Sequence, residues 1–301
     1  MSEHRETAVD PTALGGPRAP RVIVGVDGTT ANWSAVQWAV AEARRAGRSL
    51  LLVASAPSDT PAPAQGTDHL EAEHLDRLTR DLLHEVRAHI AGRADDISTR
   101  VTTGEPSQAL VRAADRDDLL VVGKRVGHPW SPAVLGSTSV AVAARCAGAV
   151  VVVPEDWSVS EHVSDPIVAG VDGARDPQVL DVAFDRAGSL GVQLVVVHAS
   201  EVPVPPTRGN RAADAGRLAT NARTKLADLV APWRQRYPDL SAGIESHPLA
   251  PSVALLGAAT NAQLLVLGRH TTSRHVGGLG STTRQILHHA RCPVVVVPHP
   301  A

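Results

Sequence analysis

The chain repeats itself once, and that duplication constrains its fold more than any other feature. Val22-Ile-Val-Gly-Val-Asp27-Gly28 returns as Ile167-Val-Ala-Gly-Val-Asp172-Gly173, which sets Asp27 and Asp172 145 residues apart. Leu119-Leu-Val-Val-Gly123 returns at the same spacing as Leu264-Leu-Val-Leu-Gly268. Gly136-Ser-Thr comes back as Gly280-Ser-Thr, and Ala149-Val-Val-Val-Val-Pro154 as Pro293-Val-Val-Val-Val-Pro298, both 144 residues on. Landmarks that recur in one order, with a single residue lost between the second and third, mark an ancestral doubling. Whatever one half folds into, the other must fold into as well.

Each half alternates short β-branched runs with helical periodicity, which predicts parallel strands joined by helical crossovers. In the first half, Arg21–Val26 reads as a strand that turns at Asp27-Gly28. A helix follows from Trp33 to Arg45, stopped by Gly47, and then a strand over Ser49–Ala54. The Pro-, Ser- and Ala-rich residues 55–67 read as a loop, His69–Ala91 as a long amphipathic helix ending at Gly92, and Ser98–Val101 as a strand. Helices at Pro106–Ala114 and Ser137–Ala144 flank the strand Leu119–Val122, and Val150–Val153 closes the half. The second half follows the same order. It has a Pro-rich loop at Val202–Arg208, a long helix from Ala212 to Arg236, and final strands at Leu264–Leu267 and Val294–Val297.

The implied architecture is two tandem doubly wound α/β domains with helices on both faces of each sheet. We assign 1–20 as a disordered tail, 21–154 as the first domain, 155–165 as a linker and 166–301 as the second domain. Val150–Val153 and Val294–Val297 are apolar strands at sheet edges and need covering. That need predicts an intramolecular pseudo-dimer, with a further homodimer left open.

Composition removes several function classes. Aromatic residues make up only 2%, with one Phe and one Tyr, so the core must be aliphatic, as in buried parallel sheets. A formal charge of −2 gives no electrostatic footprint for nucleic acid or an anionic membrane. Lysine occurs only at Lys124 and Lys225, and arginine supplies the remaining positive charge across both halves. Cys146 and Cys292 are too few and too far apart for a disulfide framework or zinc site. Without an apolar leader or a span-length apolar run, the expected location is the cytoplasm.

In an open parallel sheet, ligands bind beyond the carboxyl ends of the strands, where strand order reverses. Two unusual loops meet there. One follows the first strand at Asp27; the other runs from Gly123 to Ser139, with Gly127 inside it and Gly136-Ser137-Thr138-Ser139 opening a helix. Free N–H groups, hydroxyls and the positive end of the helix dipole suit a phosphate there. The same Gly-Ser-Thr pattern also serves as an ordinary helix cap, and Asp-Gly as an ordinary turn. Asp115, Asp117 and Asp118 form a charge run expected to face water. Trp33, Trp38 and Trp130 are expected in packing contacts, and His270, His275, His288 and His289 follow no metal-binding helix spacing.

On these residues both halves resemble universal stress protein domains from Arg21 to Pro298. The similarity is carried by VIVGVDGTTANWSAVQWAVAEA at the start and GSTSVAVAARCAGAVVVVP at the end of the first half. The resemblance implies a five-stranded parallel sheet per domain, in the order 3-2-1-4-5. It also implies binding of adenine nucleotide, namely ATP alone or with Mg2+, through G-x2-G-x9-G-[S/T] after the fourth strand. Carried over, the first-domain set is Asp27, Val53, Gly123, Gly127, Gly136, Ser137, Thr138 and Ser139; the second is Asp172, Val197, Gly268, Gly280, Ser281, Thr282 and Thr283. Both halves depart from the pattern at its middle glycine. Val126 stands there in the first, with Gly127 one residue later, and Thr271 in the second, where the loop is also one residue short.

Three readings follow. One is a nucleotide-binding stress-response module with little or no catalysis. Another is an enzyme on a similar fold: an ATPase, a slow one included, a pyrophosphatase or a dehydrogenase. The third is a non-binding protein that acts through dimerisation and partners, as some branches of the resembled family do. A dehydrogenase G-x-G-x-x-G after the first strand and a phosphate-loop G-x4-G-K-[S/T] are both missing, which disfavours the first enzyme types to consider.

Overall fold

The computed structural model describes residues 18–29, 32–56, 68–124, 137–173, 176–199, 211–269 and 278–299. The first half runs β1 (Val22–Gly25), α1 (Trp33–Ala46), β2 (Leu50–Ala56), α2 (Asp68–His89), β3 (Ile97–Thr103), α3 (Pro106–Ala113), β4 (Leu119–Lys124), α4 (Ser137–Arg145) and β5 (Ala149–Pro154). The second runs β6 (Ile167–Gly170), α5 (Pro177–Leu190), β7 (Leu194–Ala199), α6 (Arg211–Arg236), β8 (Ala242–His247), α7 (Pro251–Ala258), β9 (Leu264–Gly268), α8 (Ser281–His289) and β10 (Val294–Val297). The Pro-rich segments at 57–67 and 200–210, and the loops bearing Val126, Gly127, Trp130, Gly136, His270, Thr271 and His275, lie outside the described residues.

Within each half the strands are parallel, in the order 3-2-1-4-5, as the repeat and its resemblance imply. The two sheets then join into one of ten strands, β3-β2-β1-β4-β5-β10-β9-β6-β7-β8. The join is the antiparallel pair β5–β10, with Val151 opposite Val295 and Val150 and Val152 opposite Val296 and Val294. All four valines of each strand are buried. Two apolar edges that would template aggregation thus cover each other.

The core is aliphatic, as so few aromatics require. Ile23, Leu50, Leu52, Leu120, Ile167, Leu180, Leu194 and Leu265 are among its largest fully buried side chains, with Phe184 the aromatic exception. Local punctuation follows the residues. Gly47 (φ 59°) and Gly191 (φ 66°) end α1 and α5 in the left-handed conformation that glycine adopts without a steric penalty.

The aspartate run departs from expectation. Asp115 and Asp117 face water, but Asp118 is buried. Its carboxylate accepts the N–H groups of Arg21 (2.8 Å) and Asp115 (3.1 Å) and pairs with the guanidiniums of Arg18 (2.6 Å) and Arg21 (3.3 Å). Burial alone would raise its pKa; the backbone donors and the two arginines outweigh that and hold it low. A buried carboxylate so fully partnered ties the start of β1 to the start of β4.

Between the halves, Trp157 is buried and stacks on His162 with ring centres 3.9 Å apart, next to a short 3-10 turn at Val159–Glu161. Ser34 donates to the Glu155 carbonyl (2.6 Å), which fastens this segment to α1.

Candidate functional site

At the carboxyl edge of the first sheet, β1, β2 and β4 end around a cavity of about 260 Å³, close to the lower limit of about 300 Å³ typical of small-molecule sites. Four residues proposed from sequence line it together: Asp27, Val53, Gly123 and Thr138. Strand register explains why. Gly25 pairs with Val53 across β1–β2, and β4 lies on the other side of β1, so the ends of three strands open on one hollow. Val53, Leu110 and Val122 supply apolar walls, while Asp27, Asn32, Ser55 and Thr138 supply polar groups.

The Asp27 turn is built locally. One carboxylate oxygen accepts the Thr29 N–H (2.9 Å) and hydroxyl (2.7 Å), and Gly28 follows at φ 74°, a value that disfavours any side chain. The carboxylate stays exposed at the rim of the cavity. Asn32, just before α1, donates its amide to the Gly25 carbonyl (2.9 Å) and is nearly buried. Asn32 and Ser55 are site residues that the sequence did not single out. Reading Asn32 as the residue before a helix that starts at the ligand edge would have found it.

The remaining first-half candidates divide. Ser137 is exposed at the start of α4, while Ser139 is buried and donates its hydroxyl to the Gly123 carbonyl (3.0 Å). Ser139 therefore braces α4 against the end of β4. Gly127 and Gly136 lie outside the described residues. Lys124, beside the lining glycine, is turned away and buried. Its ammonium donates to the carbonyls of Leu287 (2.9 Å), His288 (3.3 Å) and Ala290 (2.6 Å), at the end of α8 in the other half. Burial lowers its pKa to about 8, against the opposing pull of Cys292 and Asp156.

The second half arranges the same elements differently. Asp172 is exposed and Val197 pairs with Gly170, as their counterparts do. However, Gly170 and Gly268 are buried where Gly25 and Gly123 are partly open. A Cβ on Gly170 would lie 2.7 Å from both Leu255 and Leu267, whereas one on Gly25 would have Leu110 nearest, at 3.0 Å. The residue before α5 is Asp176 instead of an asparagine. It is 1% exposed, accepts the Asp172 N–H and has His299 at 3.6 Å. Gly280 is buried before α8; Ser281 is exposed, Thr282 partly so, and Thr283 buried like Ser139.

Other sequence candidates resolve into packing. Trp33 meets His89 edge-on at 4.8 Å, and Trp38 lies under the Arg186 guanidinium at 5.1 Å. Cys146 and Cys292 are free and buried, and burial pushes the Cys292 thiol up to about 12. Among the described residues no group of three or more His, Cys, Asp or Glu side chains is placed to hold a metal ion, and no helix is long and apolar enough to cross a membrane.

Comparison with known proteins agrees with this architecture. A universal stress protein of Mycobacterium tuberculosis is 29% identical over 93% of this chain and 95% of its own length. One from Mycolicibacterium smegmatis is 29% identical over 92% of this chain and 96% of its own. Among solved structures, a universal stress protein from Archaeoglobus fulgidus superposes with a TM-score of 0.67 at 16% identity, covering 93% of this chain and 98% of that one. The model of the Universal stress protein family matches twice, over residues 19–154 and again over 164–298. With both halves matched, the chain is a tandem member of the universal stress protein family.

Proposed function

We propose that this protein is an adenine-nucleotide-binding stress-response module that holds one ligand per chain, in the cleft of its first half, without turning it over. One observation carries the reading: Asp27, Asn32, Val53, Ser55, Gly123 and Thr138, drawn from three strand ends and two helix starts, line a single hollow. Its apolar walls suit a purine face, and its amide, hydroxyl and carboxylate groups suit the edge of a base and a ribose. Gly123 lets the ligand approach β4 closely, and the N-terminus of α4 beyond Thr138 favours a phosphate. ATP is the ligand the family resemblance implies.

The second half supports a different role. Asp176 sets a buried carboxylate where the first half has a neutral amide, and Leu255 and Leu267 press on Gly170. A carboxylate there opposes a polyphosphate, so Asp172, Gly268 and Gly280 hold structure in place of ligand.

The competing non-binding reading draws on Val126 and Thr271, which replace the middle glycines of the phosphate loops. Calorimetric titration of the intact chain with ATP separates the two, with chromatography of any nucleotide released on heat denaturation. We expect saturable binding that Gly136→Asp abolishes and Gly280→Asp leaves intact. No heat signal and no released nucleotide would leave only the partner-acting reading. Steady ATP hydrolysis well above a Gly136→Asp control would instead make the protein an enzyme.

A further inference from the structure

The duplicated halves meet about a pseudo-two-fold axis, and residues near that axis are the ones for which self-pairing and cross-pairing differ. In a symmetric pair, a residue on the axis meets its own copy. Val151 and Val295 are equivalent by the 144-residue repeat and stand opposite each other, so the axis passes between them. Helices α1 and α5 are offset by the same 144 residues, from Trp33–Ala46 to Pro177–Leu190, which makes Glu42 and Arg186 equivalent. These two also face each other: Glu42, buried in α1, forms an ion pair with Arg186 of α5. A site that would bring like side chains together in a pair of identical domains holds opposite charges here.

The surroundings reinforce the asymmetry. Arg186 lies over Trp38, whose equivalent in α5 is Val182. Arg45 grips Glu42 through two bonds of 2.8 Å and reaches Ser189 of α5 at 2.7 Å. The equivalent of Arg45 in α5 is Ser189 itself. Helix α1 therefore offers a carboxylate and an aromatic face, and α5 offers the cation that fills them. By contrast, the flanking contacts are reciprocal. Lys124 caps the end of α8, and Arg269, its equivalent, donates to the Cys146 carbonyl at the end of α4.

We propose that the Glu42–Arg186 pair is a pairing code that makes each half fit the other and reject a second copy of itself. Two second halves brought together would set Arg186 against Arg186 with neither carboxylate nor tryptophan beneath. Two first halves would press a pair of Glu42 carboxylates together, each with Arg45 alone. Valines of β5 and β10 contribute adhesion to any such pairing; the charges on the axis choose the partner. The code explains how a chain with two similar apolar edges pairs a first half with a second half instead of pairing the like halves of two chains.

The test uses the full chain with Glu42→Arg, Arg186→Glu and the double reversal. Thermal unfolding and co-purification of two differently tagged copies are the readouts. Each single reversal is expected to lower Tm by more than about 4 °C. Co-expressing the two single-reversal chains should yield a 1:1 complex beyond what either forms alone, because exchanged halves restore both pairs. The double reversal should recover part of the lost Tm, short of the parent because Arg45 and Trp38 still suit the original charges, and should lose the association. Singles as stable and as unassociated as the parent would overturn the proposal, and so would a double reversal no better than the singles. If a single reversal does not fold, recovery in the double reversal still decides the matter.

Discussion

The strand ends of the two halves descend from one arrangement, and they differ by two substitutions and in the burial of two glycines. Gly25 and Gly123 are partly open where Gly170 and Gly268 are buried; Val122 stands where the second half has Leu267; Asn32 stands where it has Asp176. Of the two substitutions, Leu267 adds bulk and Asp176 adds negative charge at this edge of the second half. Its sheet is no less regular: β6 keeps parallel partners on both sides, as β1 does. Duplicated domains can thus preserve a fold through the strands while residues at and just past the strand ends pack differently. Stability depends on the ladder and the aliphatic layer, whereas the shape of the hollow depends on a few positions at the strand ends, and Val122 and Leu267 belong to both.

That contrast can be broken by transplanting the second half's substitutions into the first. Asn32→Asp with Val122→Leu should lower ATP affinity by about 100-fold, roughly 2.8 kcal/mol, in a calorimetric titration. Unchanged affinity would mean that these positions do not distinguish the halves.

The next effect concerns Lys124, which joins the lining glycine of one half to α8 of the other. Lys124→Met leaves three helix-end carbonyls without their donor and should cost about 1–3 kcal/mol in chemical denaturation. Its pH dependence is distinctive. The folded-state pKa of about 8 lies below the ordinary 10.5, so the unfolded chain binds the proton more tightly between those values. Stability contributed by this residue therefore rises as pH increases from about 8 to 10.5. The gap between parent and Lys124→Met should widen over that window; a gap that narrows would contradict the lowered pKa and mean that the three carbonyls outweigh burial.

The smallest effect compares the two Asp-Gly turns. Gly28 and Gly173 both have positive φ, at 74° and 66°, so an alanine strains either by about 1 kcal/mol. A Cβ at Gly28 would also lie 3.2 Å from Leu82, while nothing lies within 4 Å at Gly173. Gly28→Ala should therefore lower Tm more than Gly173→Ala does.

How much of this was legible in the sequence follows from the range of each interaction. Repeats, strand runs and capping glycines are local signals, and the cap at Gly47 and parallel pairing within each half followed from them, while the order 3-2-1-4-5 came from the family resemblance. Edge strands of pure valine called for a cover, and β5–β10 is that cover. Asp118 was illegible as a buried group because its partners, Arg18 and Arg21, sit about a hundred residues earlier in the chain. The clamp of Lys124 on Leu287 spans 163 positions and has no local trace. The Asn32–Asp176 difference was hidden by register. Spacing is 145 from Asp27 to Asp172 but 144 from Trp33 to Pro177, so a comparison at fixed offset misaligns the residues that precede the helices.

We propose that one half of the duplication kept its cleft and the other gave it up, and nucleotide stoichiometry on the intact chain, measured by calorimetry with ATP, decides it. We predict one nucleotide per chain, lost on Gly136→Asp and retained on Gly280→Asp; two per chain, or one that survives Gly136→Asp, would contradict it.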